Sequence, residues 1–353
     1  MALGKITEQN ISNVDKFLNE VIKPILPNAK FADASMWSAP DELATNFEGH
    51  MLPKGLLNDS VYEYKGDWKF LHFTNLFSLK TILESGFLRM SAFGNLIDNK
   101  EINYALDVFA QSQSPANPID NAIIEELKEH LYCLSLCESN SKTRRDDYMW
   151  EVYADKGRGV AIEFEFTKPN PSQFLFGKMQ YGDKELKPIN DLKKLTEEFI
   201  NENPNFFPNN FTELFVALFS FHKVKRYSIE NEVRMLLYDK FWKYDKYKLE
   251  SVYKDINNRY EVKNFNKLFL RNRHPFLDLN YPFSDEKDIV LDEFPQIEIK
   301  NIILGYGLSN EKQIALEDLL KDVKNDKNYD FKISKIFDEG IIRNMSYPHD
   351  FID

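Results

Sequence analysis

The chain has 353 residues, enough for about two domains at the usual ~150 residues per domain. Hydrophobic residues make up 43% of the chain and charged residues 29%, which is typical of a globular protein and excludes a disordered one. The formal net charge of −11 excludes a general electrostatic attraction to nucleic acid or anionic membranes. Any contact with nucleic acid must therefore be local.

Cysteine content and hydropathy indicate a reduced, cytoplasmic protein. Cys133 and Cys137 are the only two cysteines, too few for a disulfide framework or a tetrahedral zinc site. The N-terminal residues lack the apolar region of a signal peptide, and no segment has the ~18 apolar residues of a membrane span. We therefore expect no contact with a membrane.

Residues 1–65 are predicted to form an N-terminal helix and an irregular arm. Apolar residues three and four apart in the segment 7–22, behind Thr7 as N-cap, predict an amphipathic helix that ends near Pro24. No periodicity persists from there to residue 66. We expect the helix to pack on its own domain, with binding of a partner as the alternative.

Residues 66–353 alternate between predicted strands and helices and are expected to form the main domain. Strands are predicted at residues 68–74, 131–137, 159–166, 229–238, 297–305 and 331–337. Helices are predicted at residues 78–85, 119–130, 146–155, 190–202, 211–222 and 309–321. Residues 239–296 are rich in Tyr, Lys, Asp and Asn, and we expect them to form an insertion with weak helical content.

The common phosphate-binding, zinc and hydrolase motifs are missing. The candidate site residues are therefore polar residues on the predicted strands and helices. His72 and Thr74 share one face of the strand at 68–74. Ser135 lies near the end of the strand at 131–137, and Tyr153 lies on the helix at 146–155. Each has an ordinary structural explanation, as a hydrogen-bonded core histidine, a turn residue or a core aromatic residue.

The segment Glu230 to Arg234 is the most informative. If it is a strand, alternation places Glu230, Glu232 and Arg234 on one face and Val233 and Met235 on the other. A solvated sheet edge explains such a row without any function. The alternative is a cleft where paired carboxylates stabilise a cation, while the arginine positions a carboxylate or binds phosphate.

Four segments, taken in order, resemble an uncharacterised bacterial domain family that is similar to the ADP-ribosyltransferase superfamily. They are FLHFTNLFSLKTILESGFL, then YCLSLCES with MWEVYADKGRGVAIEFEF, then KRYSIENEVRMLLY, and finally IKNIILGYGLSNEKQIALEDLL. The first is similar to the opening strand and helix of bacterial ADP-ribosyltransferase toxins that modify nucleic acid. The resemblance covers residues 65–238 and 297–337.

The resemblance implies an α+β fold with a split, mostly antiparallel sheet core and flanking helices. It also implies NAD as the donor of ADP-ribose, with no metal. Glu232 would stabilise the oxocarbenium-like transition state, and Glu230 would position the acceptor or act as a base. The residues expected to bind NAD are His72, Phe73, Thr74, Arg89, Ser135, Tyr153 and Arg234. Ser135 is a departure, because the superfamily has a tyrosine or a Ser-Thr-Ser strand there.

The expected role is that of an intracellular bacterial toxin or phage-defence effector that modifies RNA or DNA in preference to protein. The expected protein partner is an antitoxin or a chaperone. Basic clusters at 142–145, 223–226 and 271–273 could guide a nucleic acid, although such clusters are usually solvated surface. A metal-dependent nuclease that uses Glu163, Glu165, Glu230 and Glu232 is one alternative. A non-catalytic binding module is the other.

Overall fold

A computed structural model of the protein describes residues 8–37, 45–93, 104–107, 130–168, 174–209, 212–238, 248–254, 260–269 and 295–336. The chain is a mixture of helices and mostly antiparallel strands, in agreement with the predicted α+β class. No helix in these ranges is long and apolar enough to cross a membrane.

The helices, in chain order, are α1 Glu8–Phe17, α2 Leu76–Ser85, α3 Ser141–Arg144, α4 Asp147–Tyr153, α5 Lys187–Glu202, α6 Thr212–Phe219 and α7 Asn310–Asp326. A π-helical segment, Leu18–Ile22, continues α1. Short 3-10 helices span Asp183–Leu186 and Lys225–Glu230. The predicted end of α2 is confirmed. Gly86 follows the helix and takes the left-handed conformation (φ 73°) that commonly ends a helix.

The strands, in chain order, are β1 Phe31–Trp37, β2 Thr45–Met51, β3 Lys69–Thr74, β4 Phe87–Ala92, β5 Leu131–Glu138, β6 Val160–Lys168, β7 Phe174–Lys178, β8 Gln180–Tyr181, β9 Phe206–Asn209, β10 His222–Lys223, β11 Glu232–Tyr238, β12 Lys248–Lys254, β13 Tyr260–Phe269, β14 Gln296–Leu304 and β15 Lys332–Lys335. All strands predicted in the main domain are confirmed, with ends that shift by up to three residues.

The main sheet has ten strands. Eight follow the order β12-β13-β4-β5-β3-β6-β14-β15, β11 pairs with β5, and β7 pairs with β11. Strand β11 runs along the whole of one edge of β5, from Glu232 opposite Cys137 to Tyr238 opposite Leu131. Only β14 and β15 pair in parallel among the described strands of this sheet.

The other edge of β5 is shared by two strands, and there the sheet splits. Strand β3 pairs with β5 through two residue pairs, the last being Leu71 with Cys137, and then turns away to follow β6. Strand β4 pairs through two others, the first being Ser91 with Cys133. None of the described strands pairs with residues 134–136 along this edge. Helix α2 connects β3 to β4 and so lies beside the split.

Strand alternation divides the hydrophobic core between the two faces of the sheet. Leu134 of β5 packs with Val233 and Met235 of β11 on one face, together with residues of β3, β6 and β14. Cys133 and Leu236 point to the other face, against α5 and α6. Each large apolar side chain buried in this way stabilises the fold by about 1.5–3 kcal/mol.

The N-terminal helix packs on its own domain, as expected, while the irregular arm contains unpredicted strands. The Phe17 and Phe199 rings lie edge to face with centroids 5.1 Å apart, which fixes α1 on α5. Strands β1 and β2 form a small sheet with β9, so the prediction of an irregular arm was wrong. The segments FADASMW and TNFEGHM alternate largely through small residues such as Ala32, Ala34 and Gly49, which give too weak a hydrophobic pattern to reveal a strand.

The insertion at 239–296 also contains strands, so its predicted weak helical content was wrong for the described part. Strand β13 pairs with β4, and β12 pairs with β13, which extends the main sheet outward. Backbone pairing with an existing edge does not require an apolar pattern, so the lysine-rich composition concealed it. The predicted helix at 119–130 lies almost wholly outside the described residues.

Candidate active site

Glu232 and Arg234 lie on β11 in the interior of the sheet. The strand has β5 on one side and β7 on the other, so the explanation of the carboxylate row as a solvated sheet edge is wrong. The side chains of Glu232 and Arg234 are buried, with relative exposures of 3% and 0%. Charged residues are almost never buried this deeply unless they are paired.

Glu230 does not continue the strand, contrary to the prediction. It ends a 3-10 helix, and Asn231 has a left-handed backbone (φ 44°) before β11 begins at Glu232. Asparagine tolerates this conformation better than most residues. The Asn231 side chain donates to the Glu138 carboxylate at 2.7 Å, which holds the turn in place.

A buried lysine brings the two carboxylates together despite this turn. Lys223, at the end of β10, has its Nζ 2.9 Å from Glu230 Oε2 and 2.6 Å from Glu232 Oε2. We call Lys223, Glu230, Glu232 and Arg234 the carboxylate cluster; its four formal charges sum to zero. Sequence reasoning missed Lys223, because within the basic run at 223–226 it looks like a solvated surface residue.

Arg234 positions Glu232 from the other side. Its Nε donates to Glu232 Oε1 at 2.9 Å, and its guanidinium also donates to the Ser220 carbonyl. The guanidinium carbon lies 5.4 Å from the centre of the Phe93 ring. Of the two roles considered for Arg234, the structure favours positioning a carboxylate over binding a phosphate, since the side chain is fully buried.

The two glutamates have opposite electrostatic environments. Burial raises the pKa of Glu230, with a further contribution from the neighbouring Glu232 charge, while Lys223 acts in the opposite direction. Burial also opposes ionisation of Glu232, but Arg234 and Lys223 overcome it and hold the pKa of Glu232 well below its usual value. Carboxylates with divergent pKa values are the usual basis of separate acid–base and charge-stabilising roles.

Two tyrosines complete the surroundings of the cluster. The Tyr153 hydroxyl donates to Glu230 Oε1 at 2.6 Å, and 42% of the residue is exposed, so its ring reaches solvent. The Tyr181 hydroxyl accepts from the Glu232 backbone N–H at 2.8 Å. Tyr153, one of the residues predicted to bind NAD, therefore lies beside a carboxylate, and Tyr181 was not predicted.

The split in the sheet opens into a cleft of about 250 Å³, which we call the split cleft. It is lined by three of the residues predicted to bind NAD, His72, Thr74 and Arg89, and by residues of α2, β4 and β5. The sequence therefore identified residues on β3 and β4 that the fold gathers around one cavity.

Ser135 lies between the split cleft and the carboxylate cluster. It follows Leu134, which lines the split cleft, and pairs across the sheet with Arg234 of β11. The Ser135 side chain further lowers the pKa of Glu232, after the larger contributions of Arg234 and Lys223. Burial lowers the pKa of His72 and is only partly offset by the Ser135 backbone, so His72 is neutral at physiological pH.

Phe73 is not brought to the split cleft. Because side chains alternate along β3, its ring points to the opposite face of the sheet from His72. There it packs against Trp150, with ring centroids 5.2 Å apart. Any contact of Phe73 with a ligand in the split cleft would have to use its backbone.

The four glutamates considered for a nuclease do not form one group. Glu163 is bonded to Arg144 and to Ser139, and Glu165 pairs with Lys300 at 3.0 Å. Within the part of the chain that the structure describes, no three His, Cys, Asp or Glu side chains lie together in a group that could hold a metal ion.

Comparison with known proteins gives one match. The model of a family described as a protein of unknown function (DUF2971) matches residues 149–235. This range includes Tyr153 and all four residues of the carboxylate cluster, but neither His72 nor Ser135. No curated protein and no solved structure matched the chain.

Proposed function

We propose that the protein is an NAD-dependent ADP-ribosyltransferase with an ADP-ribosyltransferase-like fold. The observation that carries the proposal is the buried Glu232 carboxylate, which is held between Lys223 at 2.6 Å and Arg234 at 2.9 Å. It lies on β11, which pairs with β5, and β5 borders the split cleft lined by His72, Thr74 and Arg89. These are residues that the resemblance assigns to NAD binding and catalysis.

The chemistry proceeds by breaking the bond between nicotinamide and ribose. The electron pair of that bond leaves with nicotinamide, and positive charge develops at the anomeric carbon, as in glycoside cleavage. Glu232 stabilises this charge because Arg234 and Lys223 keep it ionised. The acceptor then bonds to the anomeric carbon and gives up a proton, which Glu230 takes because its pKa is raised.

The residues that bind NAD lie in two places, in the split cleft and beside Glu230. His72 and Thr74 line the split cleft and hold ribose hydroxyls, and Arg89 meets the pyrophosphate. Tyr153 offers an exposed ring to nicotinamide while its hydroxyl orients Glu230.

The acceptor we favour is RNA or DNA, modified inside a bacterial cell by a toxin or phage-defence effector that an antitoxin restrains. Near Glu230, the guanidinium carbon of Arg226 lies 4.9 Å from the centre of the Tyr227 ring, which pairs a cation with an aromatic surface. Such pairs suit single-stranded nucleic acid, since bases stack and phosphates are neutralised.

The test uses labelled NAD with purified wild-type protein and Glu232→Gln, in the presence of RNA, DNA or cell extract. We expect wild type to release nicotinamide and to transfer label, and Glu232→Gln to lose about 10²–10³-fold in rate because the charge is removed. Glu165→Gln is the matched control, since Glu165 lies on the same sheet but pairs with Lys300 outside the split cleft. Folded wild-type protein that neither cleaves NAD nor transfers label would refute the proposal.

A further inference from the structure

Phe77 stands out as a large aromatic side chain that the fold leaves in solvent. It lies in the first turn of α2, is 77% exposed and lines the split cleft. Burial of a phenylalanine side chain normally stabilises a fold, and this position forgoes that gain. An exposed ring at the mouth of a cleft is available to a ligand.

The walls of the split cleft supply polar groups next to this ring. Along α2, Ser78, Thr81 and Ser85 follow Phe77 at helical spacing and line the same cavity. The Ser85 hydroxyl is buried and has no hydrogen-bond partner among the described residues. Since buried polar groups are normally bonded, this hydroxyl is a place where a ligand would complete the hydrogen bonding. Arg89 on β4 lines the opposite wall.

The size of the cavity limits what it holds. Its volume of about 250 Å³ is below the ~300–1,000 Å³ of sites that enclose a whole drug-sized ligand, so a dinucleotide fits only in part. Glu232 lies on β11, which pairs with β5, so the bond to be cleaved lies at the β5 end of the cavity. Phe77 follows Thr74 on a chain segment that has already left β5, which places it at the far end.

We infer that the split cleft binds the adenosine end of NAD, with Phe77 as the surface on which the adenine ring stacks. Arg89 then faces a phosphate, and Ser85 bonds to a hydroxyl or ring nitrogen of the ligand. This inference rests on the proposed function for the identity of the base. It adds a residue that determines specificity and that lies outside both the carboxylate cluster and the segment matched by the family.

The test is calorimetric titration of the full-length chain with AMP, ADP-ribose and nicotinamide mononucleotide. Stacking of a base on an aromatic side chain contributes about 1–3 kcal/mol, so Phe77→Ala is expected to weaken AMP and ADP-ribose binding by about 5- to 150-fold. Binding of nicotinamide mononucleotide should change little, and Phe77→Trp should retain AMP binding. Ile314→Ala, at a 58% exposed position on α7, is the matched control.

Release of nicotinamide from NAD, measured on the same samples, separates the two claims. AMP binding that depends on Phe77 without any NAD cleavage would support the adenosine site and refute the transferase. NAD cleavage with AMP affinity unchanged in Phe77→Ala would support the transferase and overturn the adenosine site. Absence of AMP binding by folded wild-type protein would overturn it as well.

Discussion

The two sides of β5 differ in how their polar groups are satisfied. In the carboxylate cluster every charge faces an opposite charge within 2.9 Å, and all four side chains are buried. In the split cleft Phe77 is exposed and the Ser85 hydroxyl is unsatisfied among the described residues. The first region pairs its charges internally, whereas the second leaves an aromatic ring and a hydroxyl accessible to a ligand.

This difference suits the two regions to different tasks, catalysis in the carboxylate cluster and ligand binding in the split cleft. Groups that must meet a developing charge are most effective when they are already fixed, because no reorganisation is then needed during the reaction. Groups that admit a ligand must stay accessible. Ser135, on β5, lies at the boundary between the two regions.

Among the substitutions that test this difference, Arg234→Met is expected to cause the largest loss of stability. It removes the buried partner of Glu232 and leaves that charge incompletely compensated, so we expect the free energy of unfolding to fall by about 3–5 kcal/mol. Urea denaturation measures the change. Arg158→Met is the control, since Arg158 pairs with Asp155 at the surface and should lose at most about 1 kcal/mol. Equal losses of unfolding free energy in Arg234→Met and Arg158→Met would contradict the view that the buried charges of the carboxylate cluster depend on each other.

A smaller loss in the free energy of unfolding is expected for Lys223→Met, about 1–3 kcal/mol near neutral pH. The loss is smaller because Glu230 can take up a proton and leave no uncompensated charge.

The dependence of stability on pH gives a sharper test of the role of Lys223. The lowered pKa of Glu232 means that its contribution to stability is present above the ordinary value of 4.5 and is lost as the pH falls through the folded-state pKa.

Lys223→Met moves the pKa of Glu232 back toward 4.5, so the variant should lose less stability than wild type on acidification below that value. Urea midpoints between neutral pH and the acid limit of folding measure this slope. Lys321→Met, at an exposed pair with Asp318, should keep the wild-type slope. An unchanged slope in Lys223→Met would show that Lys223 does not set the ionisation of Glu232.

The smallest change in stability is expected for a substitution in the split cleft. Phe77→Ala should change the free energy of unfolding by less than about 0.5 kcal/mol, because an exposed side chain has little packing to lose. Thermal melting at neutral pH measures it. A loss comparable to that of Lys223→Met would mean that Phe77 packs against the protein rather than serving a ligand.

The sequence predicted strands β3, β5, β6, β11, β14 and β15 and the face on which His72 and Thr74 lie, because local alternation determines both. It did not predict that Glu230 precedes the strand, since one left-handed residue, Asn231, interrupts the alternation. Lys223 and Tyr181 were missed because only tertiary packing brings them to Glu232. Strand β13 was missed because its pairing with β4 spans a long insertion.

The split divides the main sheet into two wings that meet at β5. Among the described strands, β12, β13 and β4 form one wing of the sheet, and β3, β6, β14 and β15 form the other. Each wing is hydrogen-bonded to β5 through only two residue pairs, whereas β11 pairs with seven of its residues. The width of the split cleft therefore depends on the angle between the two wings, while Glu232 and Arg234 are held by the long pairing of β11 with β5.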